Sequence, residues 1–243
     1  MNKIKFSASK EYLDQKSCYP EPIKNNIPKW YKELKHNFDK KTVKGCMPFL
    51  DTLTTGYLLK TPLDYRISHN IIIENKRNTG AATGIVWTNN HIAEAVNVNK
   101  DLQIHSPEQL GKCPHVHTNK DLAIHKILNP WKIETPPGYS CLFLPPLNNP
   151  DDRFSIIPGI VDTDKFPNEI NFPIIINGDK YPVLETVIKL GTPYVQIIPF
   201  KRESWKMEIK TRKENDIFKE RFFANFKLIN IYKSKWWSKK SWK

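Results

Sequence analysis

Apolar and polar positions in this chain alternate in short stretches more often than they recur with a helical period. Six stretches read as strands, because β-branched and aromatic residues cluster in them between turn residues: Leu63–Ile73, Leu122–Leu128, Tyr139–Leu144, Phe154–Val161, Glu169–Asn177 and Tyr194–Phe200. Asn177-Gly178 predicts a type I′ hairpin turn, since both residues tolerate positive φ. Pro136-Pro137-Gly138 predicts a second sharp reversal. Helical signals sit at the two ends. Asn26 is placed to cap a short helix with Pro28 in its first turn, and Trp30 and Leu34 then share a face at i, i+4. Met47–Thr55 reads as a helical turn closed by Gly56. A longer helix is predicted over 212–232, where Phe218, Phe222, Phe226 and Ile229 form one apolar stripe. Residues 75–120 fit neither period.

Nineteen prolines against nine glycines sharpen this picture, because proline cannot donate to a sheet ladder and breaks long elements. The pattern predicts one mainly β domain of 243 residues, a barrel, sandwich or jelly roll of short strands. Its parts are an N-terminal helical and loop segment (1–60), a β core (61–205), and a C-terminal helix with a basic tail (206–243). No stretch of about 18 apolar residues occurs, so no membrane-spanning helix is expected. No apolar run follows the first lysines, which predicts no signal peptide. Cys18, Cys46, Cys113 and Cys141 are widely separated and are expected as free, buried thiols of an intracellular chain.

Charge changes the picture at the ends only. The net charge is +13, yet residues 1–46 hold eleven lysines against five acids and residues 225–243 hold six lysines and no acid. The middle is nearly neutral, so contact with a nucleic acid is expected at the periphery if anywhere. In the tail from Lys233 to Lys243, Trp236, Trp237 and Trp242 are interleaved with lysines. Such a segment can stack on bases while neutralising phosphates, lie at a membrane interface, dock on another subunit, or fold back with its lysines turned outward. A subunit surface is the expected partner of these three tryptophans.

Two constellations could carry chemistry. Cys113, His115 and His117, with Asp121, His105 and His125 nearby, place potential metal ligands at i, i+2 spacing on one side of an extended segment. The segment resembles the first motif of the cupins, and Pro136-Pro137-Gly138 resembles the proline and glycine of their second, which implies a metal-dependent oxygenase. Cys141 stands where that second motif has a histidine, and no fourth ligand lies at a conventional spacing, so no bound metal is expected.

The second constellation runs from Pro136 to Phe200: Pro137-Gly138-Tyr139, then Gly159-Ile160-Val161-Asp162-Thr163-Asp164-Lys165-Phe166, then Gly191-Thr192-Pro193-Tyr194-Val195-Gln196-Ile197-Ile198. It resembles the dUTPases and dCTP deaminases, which implies a β-clip barrel. There Asp162 would be the catalytic carboxylate that activates water, Phe166 would pack on the deoxyribose, and Gln196 would line the nucleotide site. Hydrolysis would further require Mg²⁺; otherwise no cofactor is expected. The chain reads Pro145-Pro146-Leu147-Asn148 where that family has its Arg-Ser-Gly phosphate motif. Lys201-Arg202-Glu203-Ser204-Trp205 replaces its glycine-rich arm.

Over most of its length the chain also resembles an uncharacterised protein family of tailed phages, especially marine ones. The residues that carry the likeness are Ile27–Tyr31, Thr42–Asp51, Asn129–Ile133 and Gly191–Trp205. This implies a viral protein located in the infected host's cytoplasm or in the virion. The expected function is therefore non-catalytic assembly or binding, by self-association or with another viral protein. A deoxynucleotide-hydrolysing enzyme is the alternative.

Overall fold

Short alternating stretches separated by prolines can fold only by pairing with partners distant in sequence. The computed structural model describes residues 2–37, 39–70, 84–87, 104–111, 113–115, 124–214, 216–218, 221 and 232–243. Among them are the strands β1 (Lys5–Ser7), β2 (Glu21–Pro22), β3 (Tyr57–Lys60), β4 (Tyr65–Asn70), β5 (Gly84–Trp87), β6 (Ile104–His105) and β7 (Ile124–Ile127). They continue with β8 (Lys132–Glu134), β9 (Tyr139–Leu144), β10 (Phe154–Ile156), β11 (Gly159–Val161), β12 (Phe172–Ile176), β13 (Val183–Ile188) and β14 (Pro193–Lys201). The helices are α1 (Lys10–Leu13), α2 (Lys29–Glu33) and α3 (Met47–Thr52). None of them is long and apolar enough to cross a membrane.

The protein is mainly β, and every described strand pair is antiparallel. A five-stranded sheet runs β11-β9-β14-β3-β2, a four-stranded sheet β10-β12-β7-β6, a three-stranded sheet β13-β4-β5, and β1 pairs with β8. Among the described residues none of these sheets closes into a barrel. The five- and four-stranded sheets share one core. Phe143 of β9 meets Phe172 of β12 at 5.4 Å between ring centroids, and Phe172 meets Tyr194 of β14 edge-on at 5.7 Å. Ile127, Ile156, Ile174, Val195 and Ile197 are buried in the same cluster. Offset and edge-to-face rings add to the stabilisation from burial itself.

Several expectations are corrected. The stretch 154–161 is not one strand: β10 and β11 belong to different sheets, and the chain turns the corner at Ile157-Pro158, where proline cannot donate to a ladder. Asn177-Gly178 does not make a hairpin, for Gly178 is not among the positive-φ residues and β12 and β13 lie in different sheets. Instead the Asn177 side chain accepts the Lys180 N–H at 3.2 Å. Asn26 caps nothing: α2 starts after Pro28, and the Asn26 amide reaches Glu21 Oε1 at 2.5 Å. α2 ends at Glu33, before Leu34, and its buried residue is Tyr31. Strand pairing begins within the first sixty residues, through β1, β2 and β3. Cys18 and Cys141 are buried free thiols, but Cys46 is exposed. Most of the helix predicted over 212–232, including Phe222, Phe226 and Ile229, lies outside the described residues.

Other expectations are met. Pro136-Pro137-Gly138 forms a tight turn closed by the Tyr139 N–H on the Pro136 carbonyl at 3.2 Å, with Gly138 at φ +84°. Proline and then glycine at the two central positions suit a type II turn. Gly56, beyond α3, lies at φ +85°, and a Cβ there would stand 2.0 Å from the Ile197 carbonyl oxygen. Gly56→Ala thus combines a left-handed backbone penalty with a clash against β14, and is expected to destabilise by at least about 2 kcal/mol in chemical denaturation.

Candidate functional site

The residues singled out by sequence fall around the long strand β14, and its neighbours explain where each one points. β14 pairs with β9 on one edge and β3 on the other. Near its middle, Gln196 is wholly buried. Its amide oxygen accepts the Leu147 N–H at 2.8 Å, and its amide nitrogen donates to the carbonyls of Thr52 (3.1 Å) and Thr55 (2.8 Å). One side chain thereby satisfies backbone groups at the end of α3 and in the loop after β9, which buried polar groups require.

At the other end of β14 the chain leaves the sheet through a charged clasp. The guanidinium of Arg202 grips Asp164 with two bonds, Nη1 to Oδ1 at 2.8 Å and Nη2 to Oδ2 at 2.5 Å. Asp164 also accepts the Gly138 N–H at 2.8 Å, and the Arg202 N–H donates to the Gly138 carbonyl at 2.8 Å. Arg202 Nη1 further reaches the Tyr139 carbonyl and Ser140 Oγ, both at 3.0 Å. Three segments are joined in this way: the proline turn, the 162–166 turn and the end of β14. The Arg202 bonds hold the Asp164 carboxyl well below the usual carboxylate range, with a further contribution from the Gly138 N–H.

Asp162 sits at the rim of this clasp, about half-exposed. It accepts from Ser140 Oγ at 2.6 Å and lies 3.2 Å from Arg202 Nη1. Both partners are donors, so they compete with any water for its carboxylate. Its backbone carbonyl closes the turn that carries Phe166, by accepting the Lys165 and Phe166 N–H groups at 2.9 Å each. Asp162 and Phe166 therefore share one turn, but Gln196 is elsewhere. In register, Val161 faces Cys141 and Cys141 faces Pro199. Asp162 thus lies two strands over and four residues along from Gln196, a Cα separation of about 16 Å at ordinary strand spacings. The structure does not bring these two residues to one ligand.

Of the metal candidates, Cys113 and His115 are described, while His117 and Asp121 lie outside the described residues. His105 Nδ1 contacts Gln109 Oε1 at 2.5 Å. Among the described residues no cluster of three potential ligands occurs. Cys141 is buried, and burial pushes its thiol up to about 11, so it is held protonated beside Thr163 Oγ1.

The tail divides. The Trp237 indole N–H donates to the Asp51 carboxylate at 3.0 and 3.2 Å, and Lys240 Nζ reaches the same carboxylate at 2.6 Å. The Trp242 ring packs edge-on against Tyr57 at 5.8 Å and lines a small cavity with Ile4, Pro136, Tyr139 and Pro199. Trp237 and Trp242 are thus seated on the protein's own body, whereas Trp236 is 59% exposed.

Sequence reasoning missed a further feature, the segment after the clasp. Residues 203–213 form no strand or helix and are all exposed. Trp205, Met207 and Ile209 alternate with Lys206, Glu208 and Lys210, and are 88%, 83% and 86% exposed. The period-2 signal is plain in the sequence, but it lies between the clearest strand and a predicted helix. Comparison with family models, curated proteins and solved structures finds no match to this chain.

Two outcomes check the roles of Gln196 and Asp164. Gln196→Ala leaves up to three buried backbone groups without partners, and is expected to cost about 2–4 kcal/mol in urea unfolding. The carboxyl of Asp164 is depressed in the folded state. The native protein therefore binds fewer protons than the unfolded chain near the latter's value of about 3.9. The stabilisation is complete above that pH and is lost as pH falls through the folded value. Wild-type melting temperature should drop on acidification below about pH 4. Asp164→Asn should melt lower at neutral pH and lose less on acidification.

Proposed function

We propose that this is a non-catalytic assembly or binding protein, which holds out the segment 203–213 as a docking arm from a β-sandwich body. The observation that carries the reading is the exposure of Trp205, Met207 and Ile209, three large apolar side chains at alternate positions of one exposed segment. Burying each would gain about 1.5–3 kcal/mol, and their own domain leaves that unrealised. Contiguous exposed apolar surface of this kind marks interaction sites. The sequence likeness to a tailed-phage family fits such a role, with another copy or another viral protein as partner. A nucleotide-hydrolysing role would ask Asp162 and Gln196 to share a ligand. Their separation and the engagement of the Gln196 amide weigh against it.

The test replaces Trp205, Met207 and Ile209 together with serine. Surface substitutions outside the core change stability by less than about 0.5 kcal/mol. The variant, with three such changes, is therefore expected to melt within about 5 °C of the wild type, and to lose the association that the wild-type arm supports in light scattering. A melting temperature lower by many degrees would place these residues in the protein's own fold and overturn the reading.

A further inference from the structure

We propose that the arm's partner is the arm of a second copy of this chain, paired antiparallel about a two-fold axis through Met207. The inference rests on the docking-arm reading above and names the occupant.

In a two-fold antiparallel pair centred on residue c, residue i stands opposite residue 2c − i of the other copy, and both point to the same face. Centring on Met207 sets Trp205 opposite the other copy's Ile209, and Met207 opposite itself, so across residues 205–209 one face is wholly apolar. On the other face Lys206 stands opposite Glu208 of the second copy, and Glu208 opposite its Lys206. Aromatic–aliphatic and opposite-charge pairs are the cross-strand contacts that stabilise a ladder.

Neighbouring registers fail. Centring on Glu208 sets that carboxylate opposite itself and Lys206 opposite Lys210, while centring on Lys206 sets that ammonium opposite itself. Centring on Ile209 sets Lys206 opposite Arg212 and Trp205 opposite Lys213. A centre between residues puts apolar side chains against charged ones. A one-residue slip reverses every face, so the pattern selects one register.

The sheet edges of the body offer less. Among the described residues β2 and β6 have two residues each, β10 and β11 three, and β5 four. The longer β13 already gives its Val187 carbonyl and Thr186 hydroxyl to Arg153. The arm spans residues 203–213 with no strand beside it among the described residues. A second arm is the surface that matches it in length, faces and charge.

The experiment uses the full chain with Cys46 and Cys113 changed to serine. Met207→Cys places a thiol on the axis, with Cα atoms about 4.5–5.5 Å apart and so within disulfide reach. Ser204→Cys places thiols about 20 Å apart. Mild oxidation should cross-link Met207→Cys to a dimer at least tenfold faster than Ser204→Cys. In the second experiment, Lys206→Glu and Glu208→Lys are each expected to weaken association several-fold by opposing like charges. The double variant, which restores opposite pairs, should return to within about threefold of the wild type. Equal cross-linking of the two cysteine variants, or a double variant as weak as the singles, overturns arm–arm pairing. If that happens while the triple serine variant still melts like the wild type, only the occupant is wrong and the docking arm stands.

Discussion

The two-sided pairing of β14 is the constraint on which the other features depend. A strand that is bonded to β9 and β3 along its edges cannot shift without breaking both ladders. Everything it carries is therefore fixed relative to the core. Gln196 is placed to gather backbone groups from α3 and from the loop after β9. Gly56 must remain a glycine because the Ile197 carbonyl lies against it. Arg202, just past the strand end, meets Asp164 and the Gly138 turn. The clasp ends the strand and decides where the chain departs from the sheet.

Past that point, two segments rich in tryptophan and lysine behave differently, and local chemistry separates them. The tail finds an acid and an aromatic surface on its own body. Asp51 accepts from Trp237 and Lys240, and Tyr57 takes the Trp242 ring. The Trp237 N–H is satisfied by that carboxylate, while the Trp242 Nε1 is buried without a hydrogen-bond partner among the described residues and its ring is held by packing alone. In the arm, Lys201 pairs with Glu203 and Lys210 with Glu208, both on the surface. Its apolar side chains gain nothing from these pairs. Among the described residues they are left exposed, and the docking-arm proposal gives them a partner.

The mainly β character was legible, because β-branched or aromatic clusters fell on β7, β9, β12 and β14. So was the Pro136–Gly138 turn, whose residues each have one conformational role. What the pattern hid was which sheet a strand joins. Pro158 divides an apparently continuous run between two sheets, and β13 has exposed and half-buried residues that blur its alternation. Asn177-Gly178 carries a hairpin signature, yet its flanking strands have other partners. The turn forms there, closed by the Tyr181 N–H on the Asn177 carbonyl at 3.0 Å, but long-range pairing sends its flanking strands to different sheets. At the candidate site, Asp162 and Phe166, four residues apart, lie in one turn closed by the Asp162 carbonyl. The clasp was not legible, because Asp164 and Arg202 are far apart in sequence and meet only through the register of β9, β11 and β14. Gln196 looked like a ligand-facing polar residue in a strand, but the neighbouring backbone uses all of its amide.

If the arm pairs as proposed, residues 203–213 gain a partner strand only from a second copy, whereas β14 is paired within one chain. Amide hydrogen exchange followed by mass spectrometry, at increasing protein concentration, tests it most directly. Peptides from residues 193–201 should be protected at every concentration, because their ladder lies within one chain. Peptides from residues 203–213 should exchange freely in dilute solution and gain protection as concentration rises. An arm protected even at high dilution, or one that exchanges freely at every concentration, would contradict the account.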